Sequence, residues 1–437
     1  MSRLSSISAI LAGVALLAAC TDHAPAPTGL GLSASHNGLP FTAGLASPAW
    51  QEKAASLVAQ AGFNPQTATH AYSLLGVAQY VGVQRAEAAD GSTDDQDAAS
   101  EKRVEAADGD TDDQDAASEV GIGAGGRKRL ERDRGAVAGA SVIVLTYLFP
   151  SQAQALEGMV DAQANVGPGG VHPAFDRGEA AGRAVGAEIV ARAQADGFNR
   201  PFTGTIPTGP GLWISNTTPP TIAGGQLPGV TPWFLTSASQ FRPGPPPAFG
   251  SAAFLAALGE IRQISDTRTA EQIGIAAFWA LSTGTPTTAG FWIQVATDGI
   301  KRHNLSERKA THLYALLSAT MFDAQIGCWD AKETYWFIRP WQADPLITVV
   351  PAVGKPNHPS YPSGHSCLSA SGADVLSTFF PEQRDRLNAM VTEAGLSRMY
   401  GGIHYRFDIE AGQALGRSVA RFTIAADASG NSVLTPH

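Results

Sequence analysis

Cysteine is nearly absent, with three in 437 residues, at positions 20, 328 and 367. That is too few for a disulfide framework, although one bridge between Cys328 and Cys367 is compatible with the sequence. Beyond the first twenty residues, no apolar run reaches the ~20 residues needed to span a bilayer. The longest, AVAGASVIVLTYLF from Ala136 to Phe149, is short enough to read as a buried helix. Strand-like alternation of apolar and polar residues is scarce as well. Charged residues make up 16% of the chain and hydrophobic ones 44%, which excludes disorder throughout and suits one large or two moderate cores.

The N-terminus reads MSRLSSISAILAGVALLAAC, with one arginine, an apolar run from Ile7 to Leu17 and small residues up to Cys20. This is the layout of a secretory signal over residues 1–19. Its end, Leu17-Ala18-Ala19-Cys20, resembles the bacterial lipoprotein signal, which predicts a lipid on Cys20; a plain signal peptide cut nearby is the alternative. The expected location is outside the cytoplasm, in the periplasm or at the outer membrane, with membrane contact through the lipid alone. Residues 20–46, rich in Pro, Gly, Ser and Ala, read as a flexible tether.

EAADGSTDDQDAASE at 87–101 recurs almost unchanged as EAADGDTDDQDAASE at 105–119. Thirteen acidic and two basic residues lie between Glu87 and Glu119, so this insert accounts for the chain's net charge of −9. The acidic balance therefore says little about partners of an active site, and nothing points to nucleic acid. Asp108, Asp110, Asp112 and Glu119 fall at positions 1, 3, 5 and 12 of a calcium loop, but Asp113 stands where such a loop needs glycine. A solvated duplication is the preferred reading.

Elsewhere the pattern is helical. AWQEKAASLVAQAGF, GEAAGRAVGAEIVARAQAD, AEQIGIAAFWALS, KATHLYALLSATMFDAQIG and SASGADVLSTFF combine good helix formers with apolar residues three and four apart. The fold class expected is all-α. Residues 47–250 form an N-terminal helical region and 251–437 a C-terminal catalytic one. Between them, residues 196–250 carry many Pro and Gly together with Trp213, Trp233, Phe234 and Phe241. So long a structureless loop is uncommon inside a compact domain, so the segment is predicted to be an ordered strap packed by its aromatics.

Candidate chemistry concentrates in three clusters. In KETYWFIRP, Lys332 and Arg339 are seven residues apart, which predicts one helix face, with Arg339 in the last turn before Pro340 ends the helix. In HPSYPSGHS, Pro359 and Pro362 hold an extended approach and a helix starts near Ser363. Its free N–H groups and dipole favour an anion, Gly364 lets the backbone come close, and His365 stands beside as an acid or base. In SRMYGGIHYRFD, Asp408 lies one helical turn beyond His404 and can fix its tautomer, leaving the other ring nitrogen free to attack or ligate. Each cluster alone has an ordinary structural explanation: a solvated face, a helix cap, a satisfied histidine. Together with Arg398 they supply three cations, a hydroxyl, a glycine amide and two histidines, a set suited to a tetrahedral oxyanion such as phosphate or vanadate.

KETYWFIRP, PSGH and SRMYGGIHYRFD resemble, in sequence and order, the signature of the type 2 phosphatidic acid phosphatase and vanadium haloperoxidase superfamily. That resemblance implies an all-helical architecture. It also implies that Lys332, Arg339 and Arg398 neutralise the oxyanion while Ser363 and the Gly364 amide hydrogen-bond it. In a haloperoxidase His404 would be the axial ligand of vanadium, with vanadate as cofactor, and His365 the acid–base group that helps hydrogen peroxide oxidise a halide. In a phosphatase His404 would attack phosphorus, His365 would protonate the leaving group of a phosphate ester, and Asp408 would orient His404.

The length of the chain and the absence of spanning helices resemble the soluble bacterial haloperoxidase branch. Trp329 matches a tryptophan near the halide site of chloride- and iodide-oxidising members, and His358 a histidine of the algal bromide-oxidising ones. The short His365–Arg398 interval is instead similar to that of soluble acid phosphatases. A haloperoxidase is the first expectation and a periplasmic phosphomonoesterase or diphosphatase the second, with the oligomeric state, homo-oligomer included, left open.

Overall fold

The computed structural model describes residues 45–91, 124–165, 172–430 and 432–434. The leader, Cys20, the tether up to Gly44 and the acidic repeat from residue 92, with its calcium-like spacing, lie outside them.

Two bundles share one long helix. The first comprises α1 (Ala46–Gln60), α2 (Pro65–Ala89), α3 (Ala124–Leu148), α4 (Ala153–Ala164) and α5 (Pro173–Ala195). The second follows the strap with α6 (Ala252–Thr267), α7 (Ala270–Phe278), α8 (Thr287–Arg302), α9 (Glu307–Tyr335), the single turn α10 (Pro340–Ala343), α11 (Gly364–Phe379), α12 (Arg384–Tyr400) and α13 (Arg406–Ala428). Among the described residues there is no strand, only an isolated antiparallel bridge between Leu212 and Phe337.

Local chemistry explains where helices begin. Asn64 accepts from the Thr67 N–H at 2.9 Å with Pro65 at the first helical position, and Thr269 and Gln272 cap α7 reciprocally. The shared helix α9 packs on α2 from one side and on α11 and α13 from the other. It is accordingly buried almost all round from Ala310 to Lys332, as its lack of a polar face requires. In the first bundle, α3 and α5 approach along small residues. A methyl at Gly178 would fall 1.9 Å from the Arg132 carbonyl oxygen and one at Gly135 2.1 Å from that of Phe175. No side chain fits there, and the four-residue glycine spacing on both helices is the sequence mark of this contact.

Near its end α9 departs from expectation. It stops at Tyr335, Trp336 turns into the left-handed region at φ 47°, and Arg339 caps the next short helix, which Pro340 begins. Lys332 and Arg339 therefore do not share a helix face. They converge because the chain reverses, held by hydrogen bonds from Trp213 N–H to the Trp336 carbonyl (2.7 Å) and from Ile338 N–H to that of Gly211 (3.0 Å).

Those partners belong to the strap, which is ordered. Its principal anchor is Asp323 on α9, fully buried, whose carboxylate accepts from the N–H groups of Trp233 (2.8 Å), Phe234 (2.7 Å) and Leu235 (2.9 Å). Trp213 and Trp233 are buried, Arg192 lies over the Trp233 ring, and Arg242 forks onto Asp330 of α9. Beneath the third cluster, Phe254, Phe337, Tyr361, Met399, Tyr405 and Ile409 form an apolar floor, with Phe337 edge-on to both Phe254 and Tyr405. Full burial of each such aromatic contributes about 1.5–3 kcal/mol.

Candidate active site

The three clusters meet where α9 ends, α11 begins and α12 gives way to α13. Trp329, His358, Gly364, His365, Arg398 and His404 line one cavity of about 490 Å³. Lys332, Arg339, Ser363 and Asp408 are not on its wall; all four are fully buried and form the layer behind.

His404 just precedes α13 and Asp408 sits in its first turn, so the pair meets across one turn with Nδ1 2.8 Å from Asp408 Oδ2. That carboxylate oxygen also accepts from the Tyr405 N–H (3.1 Å) and the Ser360 hydroxyl (2.5 Å). A carboxylate facing Nδ1 places the imidazole proton there, which leaves a lone pair on Nε2. Arg339 reads that tautomer: its guanidinium donates to His404 Nε2 at 3.0 Å, to the Ile403 carbonyl at 2.7 Å and to the His358 carbonyl at 3.0 Å. A second guanidinium nitrogen donates to His358 Nδ1 at 3.1 Å, and the His358 ring tilts against Trp329 with centroids 5.0 Å apart. Trp329 in turn donates its indole N–H to the Ala223 carbonyl of the strap at 2.8 Å.

Lys332 donates to the carbonyls of Pro359, Ser360 and Pro362, which uses all three of its protons on the loop leading to α11. Its role here is to hold that loop and to supply charge from behind. Ser363 is the N-cap of α11, accepting from the Ser366 N–H at 3.4 Å, while its own N–H donates to the Asp408 carbonyl at 2.9 Å. The first N–H groups of α11 have no acceptor within the helix and open at the cavity with Gly364 and His365. Gly364 is pressed to the Trp329 ring, which a methyl would meet at 3.4 Å.

A contribution that sequence reasoning missed comes from the short helix α7. Its last turn faces the site: Arg398 donates to the Ala276 carbonyl at 3.2 Å, and the backbone of Trp279 and Ala280, just past its end, favours the protonated form of His365 against its burial. The Trp279 indole donates to Glu393 at 2.8 Å, which ties α7 to α12. The run AEQIGIAAFWALS marks α7 as a helix in the sequence, but nothing there connects it to the clusters. Cys328 and Cys367, both buried, are free thiols, and Cys328 Sγ donates to the Pro362 carbonyl at 3.8 Å.

Electrostatically the site is a buried cationic cluster. Burial lowers Lys332 to about 8, Arg339 to about 10 and Arg398 to about 9, with Arg339 further depressing the other two by like-charge repulsion. Burial, reinforced by the same cations, also holds His358, His365 and His404 well below the usual imidazole range. Burial raises Asp408 to about 6, opposed first by the Ser360 hydrogen bond and then by Lys332 and Arg339. Among the described residues, no carboxylate is ion-paired to Lys332, Arg339 or Arg398, and His365 Nε2 is buried without a partner. Uncompensated buried cations are unfavourable by several kcal/mol each, and an oxyanion in the cavity relieves all three at once. No group of His, Cys, Asp and Glu fit to enclose a metal cation occurs among the described residues, so the donor set is one for an anion.

The PAP2 superfamily model matches residues 310–429. Over 110 residues, 24% of this chain, it is 32% identical to a non-specific acid phosphatase of Providencia stuartii; the chain spans 44% of the length of that curated relative. Among solved structures it is similar to a bacterial vanadium-dependent iodoperoxidase, at 23% identity and a TM-score of 0.65 over 86% of this chain and 94% of that one. It is also similar to a bacterial vanadium-dependent chloroperoxidase, at 14% identity and a TM-score of 0.62 over 84% and 94%. These likenesses identify the all-helical fold, and the match to the PAP2 superfamily model covers α9 from Ala310 to the end of α13, the stretch that holds Lys332, Arg339, Ser363, Gly364, His365, Arg398, His404 and Asp408.

Proposed function

We propose that the protein is an exported haloperoxidase-type enzyme that binds vanadate and uses hydrogen peroxide to oxidise halide. The observation that carries the reading is the cluster of three buried, carboxylate-free cations around a histidine whose Nε2 lone pair is fixed by Asp408. These residues fit vanadate: Arg398 and the Gly364 N–H, on the cavity wall, would hold its oxygens, Arg339 and the Ser363 hydroxyl would reach it from the layer behind, Lys332 would supply charge from that layer, and His404 Nε2 would be its ligand. Bound vanadate supplies the Lewis-acidic centre at which peroxide turns halide into a hypohalous acid equivalent.

The chain's own residues prepare that chemistry. Asp408 keeps the His404 proton on Nδ1, so the ligating nitrogen keeps its lone pair. Arg339 must release Nε2 as the anion arrives, exchanging a neutral acceptor for charged oxygens, a stronger partner for a guanidinium. His365, held neutral by Arg398 and burial, has Nε2 free to take a proton from a reactant entering the cavity. Trp329 and His358 form an aromatic part of the cavity wall, where the halide would approach. The likeness in fold to the iodoperoxidase, over 86% of this chain, supports this reading.

A phosphatase is the second reading, supported by the identity to the acid phosphatase and by the compact connection from His365 to Arg398, which here is only α11, one turn and α12. In that case His404 Nε2 attacks phosphorus, His365 delivers a proton to the departing alkoxide, and water then hydrolyses the phosphohistidine. The test is to load the purified protein with orthovanadate and follow bromination of a phenolic dye with peroxide and each halide, and to assay phosphate release without vanadate. Halogenation is the expected result. Phosphate-ester turnover with no halogenation at any halide overturns it. Export and a lipid on Cys20 belong to the proposal, and metabolic labelling with a radioactive fatty acid should mark the wild type and not Cys20→Ala.

A further inference from the structure

The cavity is larger than the anion it is proposed to hold. A tetrahedral oxyanion, about as large as four waters at ~30 Å³ each, fills roughly a quarter of its volume of about 490 Å³. The remainder is bounded in part by residues outside the stretch that the PAP2 superfamily model matches, among them Gln66 in the first turn of α2, Ala280 and Thr288. Gln66 is 5% exposed and Gln325, on α9, 1% exposed. The Gln325 amide nitrogen donates to the Gln66 carbonyl at 3.3 Å, which is the only hydrogen bond that either side chain makes among the described residues. Gln325 Oε1 and both polar atoms of the Gln66 amide are left over. All three reach open space, and the cavity is where these nearly buried residues have it.

The fold fixes where the amides stand. Gln325 lies one helical turn before Trp329, on the same face of α9 and one turn farther from the end that carries Lys332. A methyl at Gly224 of the strap would fall 3.0 Å from Gln66 Cγ and 2.5 Å from Trp329 Nε1, while one at Gly364 would meet the Trp329 ring at 3.4 Å. The Trp329 indole therefore spans the wall from the amides to the opening of α11. Around it the wall is apolar or aromatic, with His358, Val353 and Leu368. Among the described residues, the ion that lines the cavity besides Arg398 and the histidines is Lys355, which is exposed at the rim.

We propose that this part of the cavity is a subsite for the organic reactant, an uncharged hydroxyarene whose ring lies against Trp329 and whose hydroxyl exchanges hydrogen bonds with Gln66 and Gln325. The wall dictates the class. An apolar pocket with a few convergent polar groups orients a small ligand by those groups. Two neutral amides offer donors and acceptors but no charge to pair, which suits a hydroxyl. An anionic reactant would go to Arg398 instead, where the oxyanion sits. A ligand without the hydroxyl leaves the buried amides unmet and forfeits their contribution. The inference rests on the proposed reading only in that an oxyanion holds the cationic end: the hydroxyarene is the halogen acceptor in one chemistry and the leaving group of a phosphate ester in the other.

The test is equilibrium dialysis of the whole protein against 2-naphthol and against naphthalene, for wild type, Gln66→Met, Gln325→Met and the double variant, with and without excess orthovanadate. The wild type should bind 2-naphthol about tenfold more tightly than naphthalene. Each methionine, close in length but lacking the amide, should weaken 2-naphthol about three- to tenfold and leave naphthalene within about twofold, and the double variant should bind the two alike. Orthovanadate should leave the wild-type affinity for 2-naphthol within about twofold, because the two ligands occupy different parts of one cavity. Equal affinities for the two arenes in the wild type, or equal losses of both in the variants, overturn the proposal, as does displacement of 2-naphthol by orthovanadate. The wild-type comparison decides the matter even where a variant fails to fold. Absence of orthovanadate binding, with 2-naphthol held as described, would remove the functional reading and leave the subsite in place.

Discussion

Asp323 and Asp408 make an instructive pair. Both are fully buried on helices of the second bundle, and burial raises each to about 6. Each gathers three hydrogen-bond donors. Their work differs because of what the donors are. Asp323 takes three backbone N–H groups of the strap that share its two oxygens, and the charge acting on it is that of Arg192. Asp408 gathers its donors on one oxygen, leaves the other without a partner, and has an imidazole opposite. A perturbed carboxyl is therefore no mark of function by itself; the identity of its partners separates the strap anchor from the site's orienting group.

The sharpest way to probe that contrast is from the His404 side. His404→Ala should bring both orthovanadate binding and turnover to background while the far-ultraviolet circular dichroism stays that of the wild type, since His404 lies outside the helices. His365→Ala should retain oxyanion affinity and lower turnover by ~10²–10⁴, as expected for removal of an acid–base group; an unaffected rate would contradict its assigned role. Next comes the exchange of the two aspartates' fates. Asp323→Ala leaves three strap N–H groups without an acceptor, at ~1–3 kcal/mol each, and should lower unfolding free energy by several kcal/mol in a urea titration. Asp408→Asn should unfold near the wild-type midpoint yet bind orthovanadate about 10- to 100-fold more weakly. Equal stability losses in the two variants would erase the distinction.

The smallest effect is in pH. Oxyanion affinity requires Asp408 ionised and Lys332 protonated, so it should decline on the acid side through about 6 and on the alkaline side through about 8. The directions follow from each group: Asp408 loses its negative charge as pH falls, and Lys332 its positive charge as pH rises. Lys332→Arg keeps the charge and should flatten the alkaline limb while leaving the acid limb in place, measured by the same titrations.

Much of this was legible in the chain. The helical runs, the ordered strap with its buried Trp213 and Trp233, the helix opening at Ser363 and the one-turn spacing of His404 and Asp408 all follow from residue type and period. The end of α9 was not, because a left-handed turn at Trp336 is imposed by strap hydrogen bonds from residues more than 120 positions away, and no local signal announces it. For the same reason Arg339 reaches the site from an extended segment and not from a helix face. Ser360 was passed over because a serine between prolines looks like loop filler until Asp408 is placed 48 residues on and beside it. The end of α7, which holds Arg398 and favours the protonated form of His365, carries no side-chain signal at all, since backbone groups act there.

The sequence by itself determined the class of fold and the chemical inventory of the pocket, because helical period and the choice of Lys, Arg, Ser, Gly and His are properties of residues. Only the tertiary structure decided how that inventory is divided. Of the candidate residues, Trp329, His358, Gly364, His365, Arg398 and His404 line the cavity, while Lys332, Arg339, Ser363 and Asp408 stand behind it. The physical reason is that the buried cations and the His404 tautomer depend on donors and acceptors brought together from the strap, α7, α9 and α13, and proximity across a fold is not written in spacing along the chain.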